Sequence, residues 1–256
     1  MRIPFTKAHG ALNDFLLTWR SEAPEGDHAE IARAICDRHS GPGADGWMLV
    51  DPPEDAEADG AIQLYNSDGS SAEISGNGTR CAAALLVKHG HAPGVVRIRT
   101  GAGLKHLRLL RRKDLEFWFE MNMGRPEISA DRFDGGAILW VGNPQCAVPV
   151  ENFDFDWRAR GAEIERHQQF PNRTNVSFVR RVDDHTIDVR FWERGAGETM
   201  SSGTGSTGAA AAAISWGWVT APVHVQTPAG PIEIREDGDL YLTGPAQIVC
   251  EGVFFL

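Results

Sequence analysis

Lysine is scarce in this chain, and no lysine stands in a glycine-rich segment that could bind a phosphate group. The four are Lys7, Lys88, Lys105 and Lys113. An enzyme that uses pyridoxal phosphate needs a lysine for the Schiff base and a site for the cofactor's phosphate. The sequence therefore gives little support to pyridoxal phosphate chemistry.

Basic residues as a group are outnumbered, since 25 Lys and Arg stand against 35 Asp and Glu and give a formal net charge of −10 with histidine neutral. Nucleic acids and anionic membranes bind clustered positive charge, so we expect neither as a partner. No segment approaches the ~20 apolar residues that span a bilayer. Residues 1–7 also lack the apolar core of a signal peptide, and we expect a cytoplasmic protein.

Cysteine is sparse and dispersed: Cys36, Cys81, Cys146 and Cys250 form no C-x-x-C pair and lie far apart in the sequence. This spacing is typical neither of a disulfide framework nor of a zinc site. The close pair of histidines in His89-Gly90-His91 stands alone. We therefore predict no metal site.

The composition is that of a globular protein. The chain has 256 residues, of which 42% are hydrophobic and 23% charged, values that argue against extensive disorder. This length permits one large domain or two small ones. The acidic segment 51–57 contains two prolines and predicts a surface loop without chemistry.

An internal repeat is the most informative feature of the sequence. Ser75-Gly76-Asn77-Gly78 and Ser202-Gly203-Thr204-Gly205 lie 127 positions apart, and each precedes an alanine-rich run. The same separation relates residues 100–103 to residues 227–230. Upstream, Asn13 and Asp45 correspond to Asn143 and Asn175 at a separation of 130. The repeat predicts that the two halves of the chain have the same fold.

Each half is predicted to be a mostly antiparallel sheet wrapped around one buried helix, which gives a two-domain α/β (α+β) fold. The helices are expected over residues 76–88 and 203–216, because both runs are apolar nearly all round. Gly and Pro interrupt a strand-like run at residues 121–126, where we place the join. The predicted domains are residues 1–120 with 245–256, and residues 121–244.

Glycines at a helix start let an anion approach unpaired backbone N–H groups and the positive end of the helix dipole. Two such helix starts on opposite sides of one small carboxylate would suit a reaction that removes a proton from one face of a carbon and returns one to the other. The segment 203–208 also fits G-x-G-x-x-G, the dinucleotide-binding pattern, but the expected β-α-β context and ribose-binding acid are missing. A third interpretation treats both segments as simple helix starts.

Eight segments in order along nearly the whole chain resemble the signature segments of the diaminopimelate epimerase family. They are residues 7–15, 43–46, 66–70, 76–81, 142–146, 170–176, 193–199 and 203–205. The resemblance implies two pseudo-symmetric domains, with the last dozen or so residues returning to the first. It also implies cofactor-independent inversion at the α-carbon of an amino acid, from LL- to meso-diaminopimelate, in lysine biosynthesis. A homodimer is left open as the oligomeric state.

The sequence departs from the family where the catalytic cysteines are expected, because both positions hold serine: Ser75 and Ser202. The family's usual histidine in the Asn-Pro-His segment is Gln145, and its usual alanine before the second cysteine is Ser201. A thiol at a helix start forms a useful thiolate, whereas a serine hydroxyl needs an adjacent base. Cys81 cannot substitute, since it lies six residues into the helix.

The resemblance assigns roles residue by residue. Ser75 and Ser202 occupy the acid and base positions, and Glu193 is the partner of an ammonium group, so these three are the catalytic candidates. Main-chain N–H groups of Gly76, Asn77, Gly203 and Thr204 would hold the α-carboxylate. The polar wall around the non-reacting end of the substrate comprises Asn13, Asn66, Asn143, Asn175 and Arg194.

Three interpretations of the serines remain open. The protein could be a deliberately substituted Cys→Ser variant, although Gln145 and Ser201 favour natural divergence. It could be an isomerase of this fold that uses another acid or base, such as Glu193, Glu198 or water. It could also be a catalytically silent paralogue that binds an amino acid.

Overall fold

Strands dominate a mixed α+β fold in the computed structural model, which describes residues 1–53 and 56–256. The predicted loop over residues 51–57 falls partly on Glu54 and Asp55, outside the described residues. The chain divides into two compact units, Met1–Met121 with Gly244–Leu256 and Asn122–Thr243. No helix of the described residues is long and apolar enough to cross a membrane.

The first unit contains these elements: β1 Arg2–Gly10, β2 Asn13–Trp19, a 3₁₀ turn Arg20–Glu22, α1 His28–Cys36, β3 Gly46–Asp51, β4 Gly60–Asn66, β5 Ser71–Ala72, α2 Gly76–Lys88, β6 Val95–Thr100, β7 Gly103–Lys113 and most of β8, Glu116–Gly124. β2 pairs with β1 in antiparallel and with β3 in parallel orientation. β4 is antiparallel to β3 and parallel to β6. The meander continues through antiparallel β7 and β8.

The helix α2 is buried from Gly76 to Val87 and contacts β1, β2, β4 and β6. Its bounds are those predicted from the sequence. Gly78 allows close packing in the first turn, because a Cβ there would lie 2.7 Å from the terminal methyl group of Met48. Alanines in the following turns allow the same close approach of strands to the helix.

The second unit contains these elements: β9 Glu127–Phe133, β10 Gly136–Trp140, β11 Pro144–Pro149, α3 Trp157–Glu165, β12 Asn175–Arg181, β13 Thr186–Glu193, β14 Gly197–Thr199, α4 Gly203–Ser215, β15 Val223–Thr227, β16 Gly230–Asp237 and the start of β17, Asp239–Phe255. β10 and β11 are antiparallel, β11 and β12 parallel, and β12 and β13 antiparallel. β13 is parallel to β15, and antiparallel β16 and β17 follow.

The order of parallel and antiparallel pairings from β10 to β17 in the second unit thus repeats the order from β1 to β8 in the first. The helix α4 lies at the same place in this order as α2, and it is buried from Gly203 to Ala213. Its alanines pack into a core with residues of β10, β13, β15 and β16, among them Leu139, Val189, Val225 and Ile234. The remainder of β17 returns to the first unit, where it pairs with β1.

Candidate active site

The helix α2 begins at a capped serine. Ser75 has an extended backbone, and its hydroxyl oxygen accepts a hydrogen bond from the backbone N–H of Gly78 at 3.1 Å. This bond satisfies one of the N–H groups that a helix start leaves without a partner. Ser75 is half-buried, whereas Gly76 and Asn77 immediately after it are buried.

The helix α4 begins in the same way. The hydroxyl oxygen of Ser202 accepts a hydrogen bond from the backbone N–H of Gly205, also at 3.1 Å. Ser202 is only 4% exposed, and Gly203 and Thr204 are buried beside it. In each unit the serine at the predicted acid or base position therefore acts as the helix cap.

Activation of either serine needs a neighbouring base. Among the hydrogen bonds of the described residues, none joins a histidine to Ser75 or Ser202. His9, which lies in the segment 7–15 that resembles the family, accepts a long hydrogen bond of 3.4 Å from the Leu12 N–H in the turn between β1 and β2. The serine hydroxyls are thus held as caps rather than as members of a catalytic pair.

Buried thiols supply no substitute base. Burial raises the pKa of Cys81, in the second turn of α2, to about 12. Burial raises the pKa of Cys146 on β11 to about 12 as well. Both cysteines stay protonated at neutral pH, which agrees with the sequence argument against Cys81.

Side-chain amides surround the start of α2. Asn77 donates from Nδ2 to Oδ1 of Asn13 at 3.2 Å, and Asn13 donates from Nδ2 to Oδ2 of Asp45 at 2.7 Å. Arg80, which is fully buried, donates to Oδ1 of Asn77. Two predicted binding residues, Asn13 and Asn77, therefore belong to one hydrogen-bonded chain that starts at Arg80 and ends at Asp45.

The carboxylate at the end of this chain belongs to a charged cluster. Burial raises the pKa of Asp45, and the negative charge of Asp14 raises it further. Burial alone would raise the pKa of Asp14, but hydrogen bonds from Arg38 and Lys7 hold it below its ordinary value. Of the two aspartates, Asp14 is therefore the more strongly acidic.

Asn66 lies apart from that chain of hydrogen bonds. Its side-chain Nδ2 donates to Oγ of Ser70 at 2.9 Å, and its backbone N–H donates to the Ser70 carbonyl at 2.8 Å. Both bonds stabilise the turn between β4 and β5. Asn66 is half-buried at the end of β4.

Amides also surround the start of α4. Asn143 and Gln145 both donate to the Thr204 hydroxyl, at 3.3 and 3.1 Å, and Gln145 donates to Oδ1 of Asn143 at 2.7 Å. Oε1 of Gln145 is buried and has no hydrogen-bond partner within the described part of the chain. Gln145, at a position where the family resemblance implies histidine, thus directs a donor at α4.

The loop after β13 is held by Asn175 and by a carboxylate that the sequence did not reveal. Asn175 accepts from the Arg194 N–H and donates to the Pro144 carbonyl, both at 2.9 Å. Glu165 of α3, whose side chain is 3% exposed, accepts from the Gly195 N–H at 3.0 Å. Glu165 was missed because nothing near it in the sequence distinguishes it from a surface glutamate of an amphipathic helix.

The two acidic candidates on this loop differ in their surroundings. Glu193 accepts a hydrogen bond from the Thr199 hydroxyl at 2.8 Å and is half-buried. Glu198 is exposed and forms a two-bond ion pair with Arg158, at 2.5 and 2.7 Å. Glu193 is therefore the less exposed of the two, whereas Glu198 is paired with an arginine at the surface.

Comparison with solved structures identifies the fold. A PhzF-family phenazine biosynthesis protein of Bacillus anthracis superposes with a TM-score of 0.75 at 14% identity, with 100% of both chains covered. A hydroxyproline epimerase of Agrobacterium vitis superposes with a TM-score of 0.74 at 16% identity, covering 98% of this chain and 90% of that one. The fold class is therefore that of the epimerase and PhzF-type proteins.

Comparison of sequences identifies the family. The family model described as "Diaminopimelate epimerase" matches residues 5–129 and 138–249. The diaminopimelate epimerase of Archaeoglobus fulgidus is 37% identical over 100% of this chain and 98% of its own length. That of Halothermothrix orenii is 34% identical, with 98% of each covered. The chain belongs to the diaminopimelate epimerase family, and the predicted enzyme class, an isomerase of the epimerase and racemase type, is confirmed.

Proposed function

We propose that the protein inverts the α-carbon of diaminopimelate, or of an amino acid much like it, without a cofactor, as a step of lysine biosynthesis. Family membership over nearly the full chain supports the substrate class. The observation that carries the proposal is the equivalence of the two helix starts. Ser75 and Ser202 cap α2 and α4 through identical 3.1 Å bonds.

We further propose that the two units are pseudo-symmetric domains, each a sheet wrapped around its helix, that arose by internal duplication. The repeated order of strand pairings and the burial of both helices support this history. The proposed domains are residues 1–120 with 245–256, and residues 121–244. Duplication explains why one enzyme would carry two similar helix starts, one for the group that removes a proton and one for the group that returns a proton.

In this proposal, the backbone N–H groups of the first helical residues bind the α-carboxylate. They are Gly76, Asn77, Gly203 and Thr204. Backbone N–H groups at a helix start stabilise negative charge, and the charge on this carboxylate grows as the α-proton leaves. Asn13, Asn66, Asn143, Asn175 and Arg194 would hold the other end of the substrate.

The two proton-transfer positions of this site hold serine. Ser75 and Ser202 stand at the two proton-transfer positions, but a serine hydroxyl is a poor base without a partner. Glu193 is the carboxylate best placed either to bind the substrate ammonium or to accept a proton. We therefore expect slow turnover and binding that survives the loss of the thiols.

A second candidate function is binding without catalysis. The observation that favours it is the absence, among the described residues, of a histidine hydrogen-bonded to either capping serine. A paralogue that only binds an amino acid would keep the carboxylate sites and the amides while losing the proton-transfer groups. The two candidates differ in one measurable step, the removal of the α-hydrogen.

Exchange at the α-carbon separates these functions. The protein is incubated with LL-diaminopimelate in D₂O, and NMR follows loss of the α-hydrogen signal while calorimetry measures binding. Exchange supports the isomerase. Binding without exchange supports the paralogue, and absence of both contradicts the proposed substrate class.

Two variants assign the role of the carboxylates. Glu193→Gln should weaken diaminopimelate binding by at least about tenfold, because a charge-assisted hydrogen bond contributes roughly 1.5–3 kcal/mol. Glu198→Gln is the matched control, since its carboxylate is exposed and engaged by Arg158. Equal effects of the two substitutions would remove Glu193 from the site.

A further inference from the structure

Arg80 is a buried cation without an acidic partner among the described residues. Its side chain is 0% exposed, and its hydrogen bonds reach only oxygens of neutral groups. Nε donates to the Pro245 carbonyl at 3.1 Å, Nη1 to the Gly76 carbonyl at 3.3 Å, and Nη2 to Oδ1 of Asn77. Burying a charge without a counter-charge is costly, so its retention calls for an explanation.

The position of Arg80 adds to that cost. The guanidinium contacts the first turn of α2, where the helix dipole is already positive and favours anions over cations. Gly244 makes room for it, because a Cβ on Gly244 would lie 2.9 Å from Cζ of Arg80. At the same place in α4 stands an uncharged residue, Thr207, whose hydroxyl donates to the Gly203 carbonyl at 2.9 Å. The extra positive charge therefore belongs to one of the two helix starts only.

We infer that Arg80 is a positioning residue that prepares the start of α2 for a carboxylate. This inference rests on the proposed function of that helix start as a carboxylate site. By donating to Oδ1 of Asn77, Arg80 leaves Nδ2 of Asn77 to donate to Asn13. A bound carboxylate supplies the negative charge that the first turn of α2 lacks, so Arg80 strengthens carboxylate binding at this helix start.

Acetate is the probe, because it carries a carboxylate and no other polar group. In ¹⁵N-labelled protein, acetate is titrated while the backbone amide signals of Gly76, Asn77, Gly203 and Thr204 are followed. We expect the Gly76 and Asn77 signals to shift on addition of acetate and to saturate. Arg80→Gln should raise the half-saturating acetate concentration read from these two signals by about tenfold or more.

Two further variants separate charge from orientation. Arg80→Lys keeps the positive charge but loses the planar guanidinium group with its fixed donors. Acetate affinity should therefore fall less than in Arg80→Gln. The side-chain amide signals of Asn77 should shift equally in both variants. Thr207→Val is the matched control and should leave the α2 titration unchanged. If Arg80→Gln does not fold, Gly244→Ala, which displaces the guanidinium, replaces it and should also weaken acetate binding at α2.

The titration does not depend on turnover, so it can fail separately from the proposed function. An unchanged α2 titration in a folded Arg80→Gln variant would overturn the inference even if the protein exchanges the α-hydrogen of diaminopimelate. The inference also fails if the Gly76 and Asn77 signals of the unsubstituted protein do not respond to acetate. Conversely, the expected shifts would stand even if no α-hydrogen exchange were detected.

Discussion

The hydroxyl oxygen of Ser202 accepts a hydrogen bond from the backbone N–H of Gly205 at 3.1 Å. Ser75 and Gly78 form the same bond at the same distance in the first unit. A residue at this position caps its helix and, in the proposed function, also stands at a proton-transfer position, where the family resemblance implies a cysteine. Serine and cysteine differ little in size, so the same backbone accommodates a thiol with a much lower pKa than that of a hydroxyl.

Restoring both thiols should therefore increase catalysis. In the double variant Ser75→Cys, Ser202→Cys, each thiol lies at a helix start, where the pKa of a thiol is lowered. We expect α-hydrogen exchange of diaminopimelate in D₂O to become faster by about 100-fold or more, the scale of general acid–base catalysis. NMR of the α-position measures the rate.

The matched control for this prediction is Ser215→Cys, which places a thiol at the other, exposed end of α4. It should leave the exchange rate unchanged. If the double variant binds diaminopimelate but exchanges no faster than the unsubstituted protein, the site has been rebuilt for another reaction.

Removing the caps should lower stability. Ser75→Ala and Ser202→Ala are each expected to decrease the free energy of unfolding by about 1 kcal/mol, the usual cost of losing a helix cap. The loss should be larger at Ser202, because this serine is only 4% exposed and water can replace its bond to the Gly205 N–H less readily than at the half-buried Ser75. Urea denaturation measures both values.

Ser215→Ala serves as the control for the caps. The Ser215 hydroxyl donates to the Ala212 carbonyl, which already accepts the Trp216 N–H, so the expected loss is a few tenths of a kcal/mol. A cap substitution that costs no more than this control would show that the serine bonds contribute nothing to either helix start.

Both long buried helices could be predicted from the sequence because the signals that define them are local. A serine cap, glycines in the first turn and a following alanine run fix where α2 and α4 begin. The starts of β4 and β13, at Gly60 and Thr186, are not marked in the local sequence pattern. Their first residues pair with distant strands, and a local pattern does not contain those partners.

The partners of buried charges could not be predicted. Glu165 and Arg80 are charged residues in helices, and most such residues face solvent. Glu165 is buried by Trp192 and by the loop after β13, and Arg80 by the returning segment at Gly244. Their burial depends on chain segments about 27 and 165 residues away, as the donors to Glu165 and the acceptor for Arg80 show.

Asn175 should be intolerant of the nearly isosteric change to aspartate. Asn175→Asp keeps an acceptor for the Arg194 N–H but loses the donor to the Pro144 carbonyl and directs negative charge at that oxygen. Since Asn175 is 7% exposed, we expect a loss of about 1–3 kcal/mol in the free energy of unfolding and weaker diaminopimelate binding. Urea denaturation and calorimetry measure the two effects.

Asn172→Asp, at an exposed position between α3 and β12, is the comparison for that change. Nη1 of Arg194 donates to the backbone carbonyl of Asn172 at 3.3 Å, and the substitution keeps this carbonyl, so it should leave stability and binding nearly unchanged. Equal behaviour of the two variants would mean that the Asn175 side chain does not hold the loop.

Asp14 should make stability depend on acid pH. Its carboxylate pairs with Lys7 at 3.1 Å and Arg38 at 2.7 Å, and these partners hold the pKa of Asp14 below its ordinary value despite burial. A carboxyl with a lowered folded-state pKa stabilises the fold above its unfolded-state pKa, about 3.9. That contribution disappears as the pH falls through the lower, folded-state pKa.

Asp14→Asn should therefore cost about 1–3 kcal/mol near pH 7, and the difference from the unsubstituted protein should shrink steadily as the pH falls below about 4. Urea denaturation across this pH range measures the difference, with the exposed Asp131→Asn as the control.

Asp14→Asn also removes the negative charge that helps to raise the pKa of Asp45, so NMR titration should find the pKa of Asp45 lower in this variant. A difference in stability that stays constant from pH 7 to pH 3, or an unchanged pKa of Asp45, would show that Asp14 does not interact with these charges as the structure indicates.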